Sequence, residues 1–219
     1  MTNSASKEKV SHLLEAISTA LLFSTQTILH AGIFISIMSI PLLPYFYDVL
    51  SGGVPLNTLM FEIEVMLFSK AFWIGRIIAL IGLVILVVSA VQLLWTRHTR
   101  VGIINTGMYS VVRHPQFTGI IIITVGLTIM VFTNSFYDYL KLIGLWLIQV
   151  LGYIGIALYE EWRLSRKFRD DYRQYKQKVP FLFPLKPPSW FPESLLTILI
   201  VLLICVVLRF LPYSQLRII

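Results

Sequence analysis

Apolar and polar positions fall along this chain in long blocks rather than in short alternations. Five apolar blocks stand out, at about residues 20–40, 71–95, 117–133, 139–158 and 194–211. Each has a length suited to crossing a hydrocarbon core as a helix; residues 71–95 would extend roughly 37 Å. Ahead of the first block, Val10, Leu13, Leu14, Ile17 and Leu21 recur at helical spacing, so residues 8–18 read as an amphipathic helix leading into it. Pro41 and Pro44 close the first block, and Gly52, Gly53 and Pro55 mark residues 41–70 as a loop. Residues 96–116 are polar, Asn134 to Asp138 form a tight turn, and a basic segment runs from the fourth block to Pro188. The block at 20–40 is longer than a signal-peptide core and no A-x-A site follows, so it reads as a retained span. The pattern predicts an all-α, multi-pass transmembrane bundle of about five spans, one integral membrane domain over residues 1–219. Its parts are an N-terminal amphipathic segment (1–19), spans 1 and 2 (20–106), a hairpin with its following segment (107–188) and a C-terminal span (189–219).

Composition agrees. The chain is 57% hydrophobic and 13% charged, against about 45–50% and 25% in soluble proteins, and its mean hydropathy is +0.79. The net charge of +7 does not point to nucleic acid, because eight of the 18 Lys and Arg lie between Arg163 and Lys186, beside a membrane span. Such a basic flank is first a topology signal. With the N-terminus in the cytosol, that side holds Lys7, Lys9, Arg97, Arg100, Arg113 and those eight. The far side and span interiors hold only Lys70, Arg76, Lys141, Arg209 and Arg217. The single Cys205 lies in an apolar block and cannot form an internal disulfide.

Parity then brings two distant motifs together. Spans 3 and 4 form an antiparallel hairpin, so Arg113–His114–Pro115 at the start of one and Glu160–Glu161 at the end of the other share one cytosolic interface. Pro115 suits the first helical turn, where its missing N–H costs nothing. That puts His114 at the N-cap, where free N–H groups favour an anion, and Arg113 adds a forked donor for a carboxylate. Gly107 and Gly119 allow close backbone approach; Tyr109 and Phe117 offer flat apolar faces. Adjacent helix positions point about 100° apart, so one of Glu160 and Glu161 faces a pocket and the other pairs with Arg163, Arg166 or Arg113. Leu164, Phe168, Tyr172 and Tyr175 form an apolar stripe expected to lie along the membrane surface.

Each feature has a plain alternative: snorkelling cations, an interfacial Glu-Glu-Trp anchor, a packing stripe. His30 in span 1 reads as an interhelical hydrogen-bonding residue, and Arg76 in span 2 calls for a partner such as Glu62 or Glu64. Four scattered His and one Cys give no metal-ligand spacing, and there is no phosphate loop and no G-x-S-x-G.

Together, "TGMYSVVRHPQFTG" and "YEEWRLSRKFRDDYRQYKQKVPFLFP" resemble the isoprenylcysteine carboxyl methyltransferase and phospholipid methyltransferase superfamily of integral membrane enzymes. Gly107, Tyr109, Arg113, His114, Pro115, Gly119, Glu160, Glu161, Leu164, Phe168, Tyr172, Tyr175, Val179, Pro180 and Pro184 match that pattern, within residues 107–184. Phe117 stands where the family has Tyr, and Arg169 where it has the Gly after Phe168. The resemblance implies S-adenosyl-L-methionine as cofactor and methyl transfer to a lipophilic or membrane-associated acceptor, such as an isoprenylcysteine carboxylate, a lipid amine or a thiol. It implies Arg113, Glu160 and Glu161 as catalytic candidates. It also implies cofactor binding by Gly107, Tyr109, His114, Pro115, Gln116, Phe117, Gly119, Glu160, Glu161, Tyr172 and Tyr175. Two rival readings are an NADPH-dependent membrane reductase of the sterol-reductase type, which also carries R-H-P and V-P-x-x-x-P, and a non-catalytic module binding anionic lipid. The reductases usually have more spans and a Trp-rich stretch where this chain reads "TGMYSVV".

Overall fold

The structure, a computed structural model, describes residues 73–99, 102–132 and 139–210, with residues 38–44, 46–47 and the single positions 32, 36 and 68. Contacts divide the chain into two units, Met1–Leu43 and Pro44–Ile219. In the first, Ile40–Leu42 forms one 3-10 turn with a proline in its opening positions. The amphipathic segment, His30, Glu62, Glu64 and the turn at Asn134 to Asp138 lie outside the described residues, as does most of span 1.

In the second unit four helices fall on spans 2 to 5: α1 (Trp73–Thr99), α2 (Pro115–Phe132), α3 (Tyr139–Lys178) and α4 (Glu193–Phe210). No strand occurs among the described residues. Two of the helices are long and apolar enough to cross a membrane, Trp73–Thr96 and Leu140–Lys178, and Pro115–Met130 is a shorter apolar helix. Only 11% of the most apolar stretch of α1 is buried within the protein. Ile77, Leu80, Ile81, Val84, Val87, Val88 and Val91 are all exposed, and a surface of that kind calls for lipid as its solvent.

What brings α1 and α2 together is the absence of side chains. A Cβ on Gly82 would stand 2.6 Å from the Ile123 nitrogen and 2.7 Å from the Gly119 oxygen. A Cβ on Gly126 would stand 2.5 Å from the Gly75 oxygen. Each helix carries two glycines seven residues apart, on one face, and the antiparallel pair meets glycine to glycine. Lipid tails give no hydrophobic drive to helix association, so such close backbone contact supplies the dispersion energy instead. Gly119 therefore serves this crossing: its own Cβ would meet α1 at the Leu86 nitrogen, 2.8 Å away.

The α2–α3 hairpin is held differently. Thr124 Oγ1 accepts hydrogen bonds from Trp146 Nε1 at 3.1 Å and Gln149 Nε2 at 3.0 Å, and all three residues are buried. Lower down, the Phe117 and Tyr153 rings stack at 5.4 Å. These contacts set an antiparallel register whose continuation brings residue 113 opposite residue 161. Helix α3 does not stop where its apolar half ends. It runs on through good helix formers such as Glu, Arg, Lys and Gln to Lys178, broken only at Arg169, whose φ is 38° and ψ −107°. The stripe of Leu164, Phe168, Tyr172 and Tyr175 faces inward and packs on Ile103 and Val179. It does not lie along a membrane surface, because the 102–110 segment folds back over it.

Two substitutions test this frame by thermal unfolding in detergent. Gly82→Val pushes a side chain into α2 backbone and is expected to cost roughly 3 kcal/mol. Gly144→Ala, which meets nothing within 4 Å, is expected to be neutral or stabilising by up to about 1 kcal/mol. Arg169 occupies a backbone region suited to glycine; relieving about 1–3 kcal/mol of strain outweighs the roughly 0.5–1 kcal/mol entropic cost of a glycine. Arg169→Gly should therefore raise stability, by about 1 kcal/mol.

Candidate functional site

The start of α2 is built as its sequence suggests. Pro115 is the first helical residue, and the His114 carbonyl accepts the first helical bond, from the Thr118 N–H at 3.1 Å. His114 is therefore the N-cap residue. Thr118 Oγ1 also donates to the Leu182 carbonyl at 2.6 Å. The Arg113 N–H reaches the Pro180 and Phe181 carbonyls at 2.9 and 3.1 Å. The "VPFLFP" segment is thus strapped across the Arg-His-Pro turn.

Arg113 is the most heavily committed side chain in the region. Its side chain is 1% exposed, and its Nε lies 2.8 Å from Glu161 Oε1. Nη2 donates to Glu193 at the first turn of α4, and Nη1 to the Lys176 carbonyl at 3.1 Å. The Phe181 ring lies 5.6 Å from Cζ. Glu161 is itself shared, since Lys176 Nζ donates to its Oε2 at 2.8 Å. His114 presents Nδ1 to Glu160 at 3.5 Å and Nε2 to Glu161 at 3.6 Å. Its ring is stacked on Phe117 and edge-on to Phe181.

Burial alone would raise the Glu161 carboxyl; the His114 ring 3.6 Å away, the charges of Arg113 and Lys176 and the Lys176 hydrogen bond prevail and hold it at about 2. For His114, burial disfavours the cation, yet the Glu160 and Glu161 carboxylates close to its ring raise its pKa. Tyr172 and Tyr175 are pushed up chiefly by burial, so both hydroxyls are neutral at physiological pH.

Beside this cluster opens a cavity of about 430 Å³, lined by Tyr109, Arg113, His114, Gln116, Glu160, Tyr172 and Tyr175 among the sequence-derived candidates. Leu93 and Thr96 of α1, Ile103, Arg163, Leu164, Lys167 and Phe168 complete much of its wall. The Tyr172 hydroxyl is buried with no hydrogen-bond partner among the described residues. The other candidates lie off the wall. Glu161 sits behind it in the ion cluster, so Glu160 is the acid that lines the cavity. Phe117 is buried between His114 and Tyr153. Pro115 starts the helix and Gly119 serves the α1 crossing. Gly107 has φ 56°, where a side chain would be strained and would collide with Gln92.

Four contributors were missed in the sequence. Glu193 is a lone acid opening an apolar span, a signal that was visible but unread. Lys176 looked like one base among many. Phe181 looked like part of a turn. Gln92 reads as a polar residue near a span end, yet its amide donates to the Thr106 carbonyl and accepts from the Met108 N–H at 3.0 Å. Tyr175 Oη donates to the Tyr109 carbonyl at 2.7 Å, and Gln116 donates to Tyr109 Oη, so the 106–110 turn is held from three sides.

The low pKa of Glu161 has a definite sign. Its contribution to stability is complete above the ordinary carboxylate range near 4.5 and is lost as pH falls towards about 2. The raised His114 pKa acts oppositely, its contribution fading as pH rises. Melting curves between pH 7 and 2 should show wild type losing roughly 3 kcal/mol more than Glu161→Gln across that acid interval. At pH 7 the variant should itself be less stable by roughly 3 kcal/mol, because Arg113 is left buried with one carboxylate fewer.

Residues 45–179 match a family described as a protein of unknown function, DUF1295. No curated protein and no solved structure matches the chain. The match spans more than half of the 219 residues and takes in the whole Arg-His-Pro turn, the glutamate pair and the cavity wall as far as Tyr175. The chain therefore belongs to the DUF1295 family, a membrane-associated family.

Proposed function

We propose that this protein is an S-adenosylmethionine-dependent methyltransferase acting at a membrane surface on a lipophilic or membrane-associated acceptor. The observation that carries the reading is Glu160. It is an acid on the wall of a cavity of about 430 Å³ whose remaining lining combines tyrosines with the cations Arg163 and Lys167. S-adenosylmethionine, when bound, supplies a methyl group already activated by a positive sulfur, beside an ammonium, a carboxylate and an adenosine. The donor set fits those parts. Glu160 would match the ammonium and the positive sulfur, and Arg163 and Lys167 the carboxylate. Arg113 is unsuited to that last task, since two glutamates already neutralise it; it acts as a positioning residue for the turn that carries His114. Tyr109 and Tyr175 offer flat faces for adenine, and the unpartnered Tyr172 hydroxyl offers a neutral donor for the nucleoside. The chain's chief work in this reading is to hold donor and acceptor in line and keep water out.

Size also favours this cofactor. Ligand cavities of roughly 300–1,000 Å³ enclose molecules of drug size, and the present cavity lies in the lower part of that range, close to one nucleoside with an amino-acid tail. The reductase reading has Arg163 and Lys167 in its favour, because cations on a cavity wall also suit a dinucleotide's phosphates. In the proposed arrangement the apolar helices span the bilayer, with the N-terminus and the cavity on the cytosolic side. The acceptor arrives from lipid between helices and the cofactor from water.

Calorimetric titration of the purified protein tests this directly. S-adenosylmethionine and S-adenosylhomocysteine should bind and NADPH should not. Glu160→Gln should weaken S-adenosylmethionine by about tenfold and S-adenosylhomocysteine, which lacks the positive sulfur, by less. Binding of NADPH with no binding of either adenosyl compound would replace this reading with the reductase.

A further inference from the structure

Four exposed aromatic side chains sit at the same end of the second unit. Trp95 lies near the end of α1, Tyr159 and Trp162 lie where α3 leaves its apolar half, and Trp190 lies just before α4; all four are exposed. That they share one level follows from contacts already described. Gln92 of α1 is bonded to the 106–108 turn. Arg113 just beyond that turn pairs with Glu161 of α3 and Glu193 of α4. Tryptophan and tyrosine gather where a bilayer meets water, because each has an apolar body and a polar tip.

The charges at this level are sorted by direction. Residues 160–193 contain eight bases and five acids. Three of the acids turn inward: Glu160 to His114, Glu161 to Arg113 and Lys176, and Glu193 to Arg113. Lys176 is spent on Glu161, and Arg163 and Lys167 line the cavity, which leaves Arg166, Arg169, Arg173, Lys178 and Lys186 exposed, against the two exposed acids Asp170 and Asp171. A segment of modest net charge thus keeps a net positive outer face after its inward pairs are made. Within it the Arg166 guanidinium stacks 4.0 Å from the centre of the Trp162 ring, which in turn stacks on Tyr159 at 5.9 Å. A cation laid on an aromatic belt has its charge at headgroup depth.

We propose that the outer face of residues 159–190 is a docking surface for anionic lipid headgroups, centred on the Arg166–Trp162 stack. The partner's chemistry follows from complementarity: a phosphodiester headgroup with net negative charge meets the exposed guanidinium and ammonium groups, while the aromatic rings set the depth. A zwitterionic headgroup of the same size gains no net attraction from that face. The surface is independent of the chemistry in the cavity and stands whether the cofactor is an adenosyl compound or a dinucleotide.

Competition between phosphatidylglycerol and phosphatidylcholine for the detergent-purified full-length protein, read by native mass spectrometry, tests it. Each surface cation typically multiplies affinity for an anionic leaflet by about fivefold. Wild type should retain phosphatidylglycerol at least about tenfold over phosphatidylcholine, and R166Q/R173Q/K186Q should lose most of that preference. The three side chains are exposed, so the variant should elute as a folded monodisperse species. If it does not, R166Q alone is read instead, with a loss of about fivefold expected. Equal retention of the two lipids by wild type, or an undiminished preference in the variant that is read, overturns the proposal.

Discussion

A buried guanidinium cannot stay unpaired: removing it from water costs several kcal/mol, which only close and well-directed partners offset. Arg113 answers that requirement with two carboxylates and a carbonyl from later segments of the second unit, the Nε contact with Glu161 being an ion pair rather than a hydrogen bond. Glu161 comes from the middle of α3, the Lys176 carbonyl from its end, Phe181 from the strap and Glu193 from the first turn of α4. Four segments that are distant along the chain thus have one reason to converge. Because the cost of missing any partner is high, the convergence is specific rather than a general collapse. Apolar contacts alone would not achieve this, since lipid competes equally for apolar faces.

The hairpin register and the ion cluster reinforce each other. Thr124 with Trp146 and Gln149, and Phe117 with Tyr153, align α2 against α3 several turns away from the charges. Extending that alignment by helical geometry delivers Glu161 to Arg113 and Glu160 to His114. The same hairpin leaves a gap beside α1, because α1 is held to α2 by its glycine crossing and not by contact with α3's polar half. The cavity is that gap, roofed by the 102–110 turn and walled by Tyr172 and Tyr175. Its existence depends on two modes of helix packing, one through bare backbone and one through buried polar side chains.

Much of this was legible in the chain, and the reasons differ by feature. The apolar blocks place all four described helices because a membrane-length run has few other uses. The meeting of Arg113–His114 with Glu160–Glu161 followed from parity, a constraint that needs no side-chain detail. What could not be read were pairings that depend on helix phase and on where a strap returns: Glu193 and Lys176 on the ion cluster, Gln92 on the 106–108 turn. The α3 stripe was seen as a stripe but assigned the wrong neighbour, because periodicity says which positions share a face and not what covers it. Gly119 was rightly singled out for close approach, but its partner is a helix and not a ligand. The departure at Arg169 was visible as a residue and invisible as a backbone angle until the structure gave φ 38°.

The two adjacent glutamates show how one rotation of about 100° divides labour. Glu161 points into the cluster, where burial beside Arg113 and Lys176 makes it a fixed anion. Glu160 points to the cavity and is a third exposed, with His114 as its neighbour at 3.5 Å. The carboxylates of Glu160, Glu161 and Glu193 face the cations Arg113 and Lys176 and the His114 ring, whose pKa the two adjacent carboxylates raise. Both ring nitrogens of His114 face carboxylates, at 3.5 and 3.6 Å, and these contacts favour the charged ring by charge rather than by a hydrogen bond from Nε2. Any cation that reaches Glu160 from the cavity competes with the His114 ring for it, whereas an anion placed against Glu160 meets repulsion. Arg113 stays neutralised from behind in either case, so the cavity's response to ligand charge is set by Glu160 and His114 on one side and Arg163 and Lys167 on the other, while the fold rests on Arg113 and Glu161.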